Sequence, residues 1–248
     1  MSTKLSLPKT RLLPTIATTL VSNGDRFFVP IMTDAVIWDC DGVLVDSEKL
    51  SCSAWLPVLR RRGIEVDLAD IEVFIGRSDQ AVLDHYRQAG YPLADEILLE
   101  REQEYYTTAR ERLTSFAGLR EVLDDLCLTD VPVAVASSGG MDRIRFSIEL
   151  VGITRYFSVI CSASEVAEGK PAPDLFLLAA ERLGVAPTDC TVIEDSIPGV
   201  EAAIAAGMTA IGFTSTHPRE VLESAGAEVT FDTYSELWPM LEKKNQMS

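Results

Sequence analysis

The chain has 248 residues, 47% of them hydrophobic and 24% charged, enough apolar material for one large domain or a core with a smaller module. A formal net charge of −16 argues against nucleic acid or anionic lipid as a partner, since both need a basic footprint. An anionic ligand would need local positive charge from a metal, a lysine or backbone N–H groups.

The five cysteines, Cys40, Cys52, Cys127, Cys161 and Cys190, form no CxxC pair. That argues against a disulfide framework or a zinc site and for a reducing compartment, with the cytoplasm as the expected location. No apolar run reaches the roughly 18–20 residues of a membrane-spanning helix. No heptad pattern demands a partner, so a monomer or weak homodimer is expected.

Residues 1–31 carry Lys4, Lys9, Arg11 and Arg26 against Asp25, a charge of +3, and are broken by Pro8, Pro14 and Pro30. They read as an N-terminal extension, flexible or belonging to a misassigned start ahead of Met32, with a transit-like peptide as the alternative. Ala35 to Trp38 is a short apolar run and reads as a buried strand, followed by a turn at Asp41-Gly42. From Ser47 to Ser115 the pattern is helical, with amphipathic helices over Leu50 to Arg62, Gln80 to Gln88 and Asp95 to Leu113.

After Phe116 strands and helices alternate. Strands are expected over Val131 to Ala136, Phe157 to Cys161, Thr191 to Ile193, Met208 to Phe213 and Val229 to Phe231. Helices are expected over Asp142 to Val151, Asp174 to Leu183 and Gly199 to Ala206. Alternation of this kind implies an α/β fold with a doubly wound, mostly parallel, Rossmann-like sheet. The core is assigned to residues 32–46 and 116–248. The helical insert, 47–115, leaves the carboxyl end of the first strand, where open α/β sheets bind ligands. There it can lie over the site as a lid.

Four polar clusters each follow a predicted strand: Asp39-Cys40-Asp41, Ser137-Ser138-Gly139, Lys170 and Glu194-Asp195. Asp39 and Asp41 are two apart at a strand end, so both side chains can point the same way. Carboxylates converging on one sheet edge repel unless a cation lies between them, and hard oxygen ligands suit Mg²⁺. A carboxylate can attack phosphorus, and a second can carry the leaving group's proton. Ser137, the amides of Ser138 and Gly139, and Lys170 offer the donors that a phosphoryl group requires. Each cluster alone reads as an ordinary loop or turn; it is their conjunction on separate strands that carries the inference.

With these motifs in view, the sequence resembles the haloacid dehalogenase (HAD) superfamily of phosphohydrolases, over about residues 33 to 231. Asp39-Cys40-Asp41-Gly42-Val43-Leu44-Val45-Asp46-Ser47-Glu48 is similar to the family's first motif and Ser137 to its second. Gly169-Lys170-Pro171-Ala172-Pro173-Asp174 is similar to the third, and Val192-Ile193-Glu194-Asp195-Ser196 to the fourth. The resemblance implies Asp39 as nucleophile through an aspartyl-phosphate, and Asp41 as acid/base with its carbonyl on the metal. It implies Ser137 and Lys170 on the phosphoryl oxygens, Asp195 with Asp39 on Mg²⁺, and Glu194 in support. The insert resembles the family's small α-helical cap.

Asp41 is present, which favours phosphoryl transfer over dehalogenation. The nearer rival is a β-phosphoglucomutase-like sugar phosphomutase. Such mutases resemble one another in a cap histidine where this chain has Ser51, and in a lysine where it has Ile75, with the arginine displaced to Arg77. A phosphatase acting on a small phosphorylated metabolite, a sugar phosphate or sugar-acid phosphate, is therefore expected, with Glu48 and Arg77 as substrate contacts. His85 and His217 are read as structural. A binding module that lost turnover is the remaining class, and no key residue is missing to support it.

Overall fold

The computed structural model describes residues 21–23, 26–28, 31–75 and 79–243. Its centre is a six-stranded sheet, every neighbouring pair parallel. The strands are β1 (Ala35–Trp38), β2 (Val133–Ser137), β3 (Val159–Ser162), β4 (Cys190–Glu194), β5 (Thr209–Phe213) and β6 (Val229–Phe231). Their spatial order is β3-β2-β1-β4-β5-β6, the doubly wound order in which the chain first runs outward one way and then the other.

Short apolar runs buried on both sides explain these strands. Successive residues point to opposite faces, so Val36 and Trp38 join one core with Val133 and Val135, while Ala35 and Ile37 join another with Ala134 and Ala136. The α/β, doubly wound reading of the sequence is thus the observed architecture.

Among the described residues, five helices follow β1 directly: α1 (Glu48–Ser53), α2 (Trp55–Arg60), α3 (Leu68–Glu72), α4 (Asp79–Gln88) and α5 (Glu96–Arg112). They share a core of their own around Trp55, Leu59, Ile71, Leu83 and Ile97. The single helix expected over Leu50 to Arg62 is two, divided at Ala54. Pro57 accounts for the division, because it has no N–H to give to the carbonyl four residues back and its ring crowds that carbonyl. Helix α3 is an addition to the expected set; its N-terminal end is tied by a capping box between Asp67 and Asp70.

The remaining helices are α6 (Leu119–Leu128), α7 (Met141–Leu150), α8 (Asp174–Leu183), α9 (Ile197–Ala205), α10 (Arg219–Ala225) and α11 (Tyr234–Leu237). Helices α6, α10 and α11 escape the sequence reading, although α6 carries a legible stripe of Leu119, Val122, Leu123 and Leu126; α10 and α11 are short. The expected strand over Val131 to Ala136 begins at Val133, beyond Pro132, which lacks the ladder donor.

Of the expected N-terminal extension, residues 1–20 lie outside the described residues. The backbone of Val21–Asn23 pairs antiparallel with Arg26–Phe28, and Ile31–Thr33 pairs in parallel with Leu241–Lys243. Among the described residues no helix is long and apolar enough to cross a membrane.

Candidate active site

Strand register brings the first two acids to the middle of the sheet edge. Trp38 is paired with Val135 on one side and Ile193 on the other, so Asp39 emerges beside Ala136 and Glu194. Its backbone N–H donates to the Ile193 carbonyl at 3.0 Å. Asp39, Asp41, Glu48, Ser137, Ser138, Gly139, Lys170 and Asp195 line one cavity of about 660 Å³ at the carboxyl ends of the strands. Of the expected site residues, Glu194 lies behind this wall and Arg77 lies outside the described residues.

Lys170 comes from the loop between β3 and α8 and reaches inward with 4% of its side chain exposed. Its Nζ donates to Asp39 Oδ1 at 2.5 Å, to Glu194 Oε1 at 2.6 Å and to the Ala136 carbonyl at 3.1 Å. Burial opposes its charge, but the two carboxylates overcome burial and raise its proton affinity above that of an ordinary lysine.

Glu194 is fully enclosed, with both oxygens committed. Oε1 takes Lys170, while Oε2 accepts from the N–H of Asp195 and Ser196, each at 2.9 Å, and from Ser196 Oγ at 2.8 Å. Ser196 Oγ in turn accepts from the Gly199 N–H at 3.1 Å and caps α9. Glu194 therefore fixes the turn that presents Asp195. Asp195 Oδ2 accepts from the hydroxyls of Thr216 and Ser215, and its carbonyl lies 3.0 Å from His217 Nδ1. Gly42 must be a glycine here, since φ is +80° and a Cβ would stand 2.1 Å from Asp195 Oδ2.

Oxygens of Asp39, Glu194 and Asp195 can come within 4.8 Å of one another, all three residues buried. Burial, with the charge of Glu194 and partly against Lys170, pushes Asp39 up to about 7. Burial, Glu194 and Asp39 raise Asp195 well above its ordinary value. One lysine is thus too little positive charge for three buried acids, and a hard divalent cation held by carboxylate oxygens fits the donor set.

Asp41 is in a different environment. Ser47 Oγ donates to its Oδ1 at 2.5 Å, and an Arg143 guanidinium nitrogen donates to the same atom at 3.2 Å. Burial would lift this carboxyl group, yet Arg143 and Ser47 together hold it below its ordinary value. The two aspartates, two residues apart, are therefore pushed in opposite directions. In the loop after β2, the Gly139 N–H donates to Ser137 Oγ at 3.1 Å, which leaves the serine hydroxyl hydrogen for the cavity. The Gly139 amide, expected as a phosphate donor, is engaged with that serine.

Several residues of the cavity escape the sequence reading. Arg101 on α5 has 2% exposure; it donates to the Ser51 carbonyl at 3.1 Å and to the Ser51 hydroxyl, and lies 3.1 Å from Asp79. A signal for it exists, because α5 buries Ile97, Arg101, Tyr105 and Ala109 at fourfold spacing, with a charge in the middle of an apolar stripe. Arg143 has a subtler one: it is a cation in the first turn of α7, where the helix dipole disfavours it. Glu48 lines the cavity, with burial and the charge of Asp41 raising its proton affinity.

Comparison with known proteins fits this geometry. The family model of the haloacid dehalogenase-like hydrolases matches residues 36–213. Validoxylamine A 7'-phosphate phosphatase of Streptomyces hygroscopicus subsp. limoneus is 30% identical over 210 residues, covering 84% of this chain and 98% of that protein. Fructose-1-phosphate phosphatase YqaB of Escherichia coli is 31% identical over 189 residues, covering 71% of this chain and 94% of its own. The β-phosphoglucomutase structure from Clostridium difficile superposes with a TM-score of 0.70 at 26% identity, covering 83% of this chain and 93% of that one. The chain belongs to the haloacid dehalogenase-like hydrolases, in the β-phosphoglucomutase-like subgroup, as an enzyme of the phosphoric monoester hydrolase type.

Proposed function

We propose that the protein is a Mg²⁺-dependent phosphatase that hydrolyses a small phosphorylated metabolite, a sugar phosphate or sugar-acid phosphate, through an aspartyl-phosphate on Asp39. The observation that carries this reading is the contact of Lys170 Nζ with Asp39 Oδ1 at 2.5 Å on the wall of the cavity, with a second aspartate two residues on. A carboxylate beside a fixed cation can meet a phosphate dianion that unpaired acids would repel.

In the first half-reaction an Asp39 oxygen bonds to phosphorus as the ester P–O bond breaks, and the departing oxygen takes a proton from Asp41. The arriving phosphate charge raises the proton affinity of Asp41, which offsets the effect of Arg143. In the second, Asp41 takes a proton from a water that attacks the same phosphorus, releasing inorganic phosphate and the Asp39 carboxylate. The Ser137 hydroxyl holds a phosphoryl oxygen, and Lys170, whose three N–H donors are taken by Asp39, Glu194 and the Ala136 carbonyl, meets the phosphoryl group as a fixed positive charge. Asp39, Asp195 and the Asp41 carbonyl would hold Mg²⁺, with Glu194 fixing the Asp195 turn. When bound, the metal supplies charge neutralisation between the carboxylates and the phosphoryl oxygens.

Helices α1–α5 serve as the cap in this reading, with Glu48 and Arg77 as candidate substrate contacts. The relatives that act on validoxylamine 7'-phosphate and fructose 1-phosphate support a polyhydroxylated leaving group. Ser51, whose hydroxyl is taken by Arg101, stands where a mutase-like chain would carry its cap histidine, which favours hydrolysis over mutase chemistry. Free cysteines support a reducing, cytoplasmic location.

The test is phosphate release from p-nitrophenyl phosphate and a panel of phosphorylated sugars, polyols and sugar acids. Activity should need Mg²⁺, vanish with EDTA and vanish in Asp39→Asn. Full activity in Asp39→Asn would overturn the nucleophile assignment. Conversion of β-glucose 1-phosphate to glucose 6-phosphate faster than phosphate release would establish the mutase instead.

A further inference from the structure

We propose that Arg143 is a positioning residue of this reaction, fixing the Asp41 carboxyl group in the pose that hands its proton to a basic leaving group; the inference rests on the phosphatase reading above. Arg143 stands at the third position of α7, where uncompensated N–H groups make a cation unfavourable. The anion that offsets it comes from the other end of the site: Asp41, 102 residues away in the chain, accepts its hydrogen bond at 3.2 Å.

Three contacts define the arrangement. Arg143 and Ser47 converge on one Asp41 oxygen, Oδ1. That leaves Oδ2 as the oxygen free to carry a proton, on the side of the Ser137–Gly139 loop, where it lies 3.7 Å from the position of a Cβ on Gly139. The guanidinium also lies 4.2 Å from the centre of the Tyr105 ring, which α5 contributes from the helical segment. A guanidinium held by both an aromatic face and a carboxylate has little freedom. The pose has a cost, because Arg143 Nε is enclosed and has no hydrogen-bond partner among the described residues. The Asp41 carboxylate and the Tyr105 ring orient the side chain.

The chemistry makes the role measurable. The half-reaction that ends with departure of the leaving group sets kcat/KM. In that half-reaction a poorly stabilised oxyanion depends on a well-aimed proton, while nitrophenolate leaves without one. Losing the aim of Asp41 must therefore cost more with a basic leaving group than with an acidic one. A general loss of packing or folding would lower both alike.

The experiment compares kcat/KM for phenyl phosphate and p-nitrophenyl phosphate, two esters of nearly one shape, in the native protein, Arg143→Met and Arg143→Lys. In Arg143→Met the phenyl ester should fall at least about tenfold further than the nitrophenyl ester. Arg143→Lys, which keeps a cation near Asp41, should recover part of that gap, and serves if the methionine variant does not fold. A crystal structure of Arg143→Met should show Asp41 displaced from its Ser47-bonded rotamer. Equal losses on both esters, or an unchanged ratio with Asp41 in place, would overturn the positioning role. Absence of Mg²⁺-dependent turnover of either ester by the native protein would instead overturn the phosphatase reading itself.

Discussion

A Cβ placed on Gly199 would lie 1.8 Å from Oε1 of Glu194, so helix α9 begins in van der Waals contact with the most enclosed carboxylate of the site. Glu194 cannot step aside, because Lys170, Ser196 and the Asp195 N–H hold both its oxygens. Gly199→Ala should therefore push α9 or the Glu194 carboxylate out of place, costing about 1–3 kcal/mol. Thermal melting should show the loss, and phosphate release should fall with it, since the Asp195 turn moves too.

Asp39 gives the metal-free protein a pH dependence of known sign. Its proton is held in the folded state up to about 7, against an ordinary value of 3.8, so the folded state binds more protons between those two pH values. Stability then falls as pH rises through that window. Urea unfolding in EDTA at pH 5 and pH 8 should show the decline. Asp39→Asn should lessen it, with Asp195 carrying the remainder, and Mg²⁺ should restore stability at pH 8 by binding the folded state.

Asp195 should govern metal affinity more than folding. Asp195→Asn keeps the shape and an oxygen acceptor for Thr216 but removes the charge. The Mg²⁺ concentration for half-maximal activity should rise about tenfold or more. A titration of activity against Mg²⁺ that is unchanged in this variant would remove Asp195 from the metal set.

Tyr234 ties the C-terminal part of the chain to the first motif. Its hydroxyl donates to the Val43 carbonyl at 2.7 Å, and the ring is buried among Trp38, Phe213 and Phe231. Tyr234→Phe deletes only the hydrogen bond and should cost about 1–2 kcal/mol in chemical denaturation. Because Val43 follows Gly42, which packs on Asp195, the same variant should also weaken Mg²⁺ activation.

Asp39, Asp41, Ser137, Lys170, Glu194 and Asp195 are legible in the sequence because five of them follow short apolar runs at strand ends, and Lys170 lies between a strand and a helix start. A parallel sheet sends all such ends to one edge, so local pattern becomes three-dimensional placement. Arg143 and Arg101 follow no such rule. Each belongs to a helix whose neighbours are decided by tertiary packing, and their partners Asp41 and Ser51 are distant in sequence. The break at Ala54 is legible in principle from Pro57, whereas α11, four residues long, is stabilised by packing on the sheet rather than by its own propensity.

Strand β1 is the first core strand to leave the ribosome, yet it is flanked by β2 and β4. Its second neighbour starts at Cys190, so for much of synthesis an entirely apolar strand has an unpaired edge, an invitation to aggregate. The helical segment, with a core of its own, is made in the interval and is positioned to fold before β4 appears. Synthesis order thus places a segment with a hydrophobic cluster of its own directly behind that strand, and the acid cluster cannot be completed before residue 195 has been made.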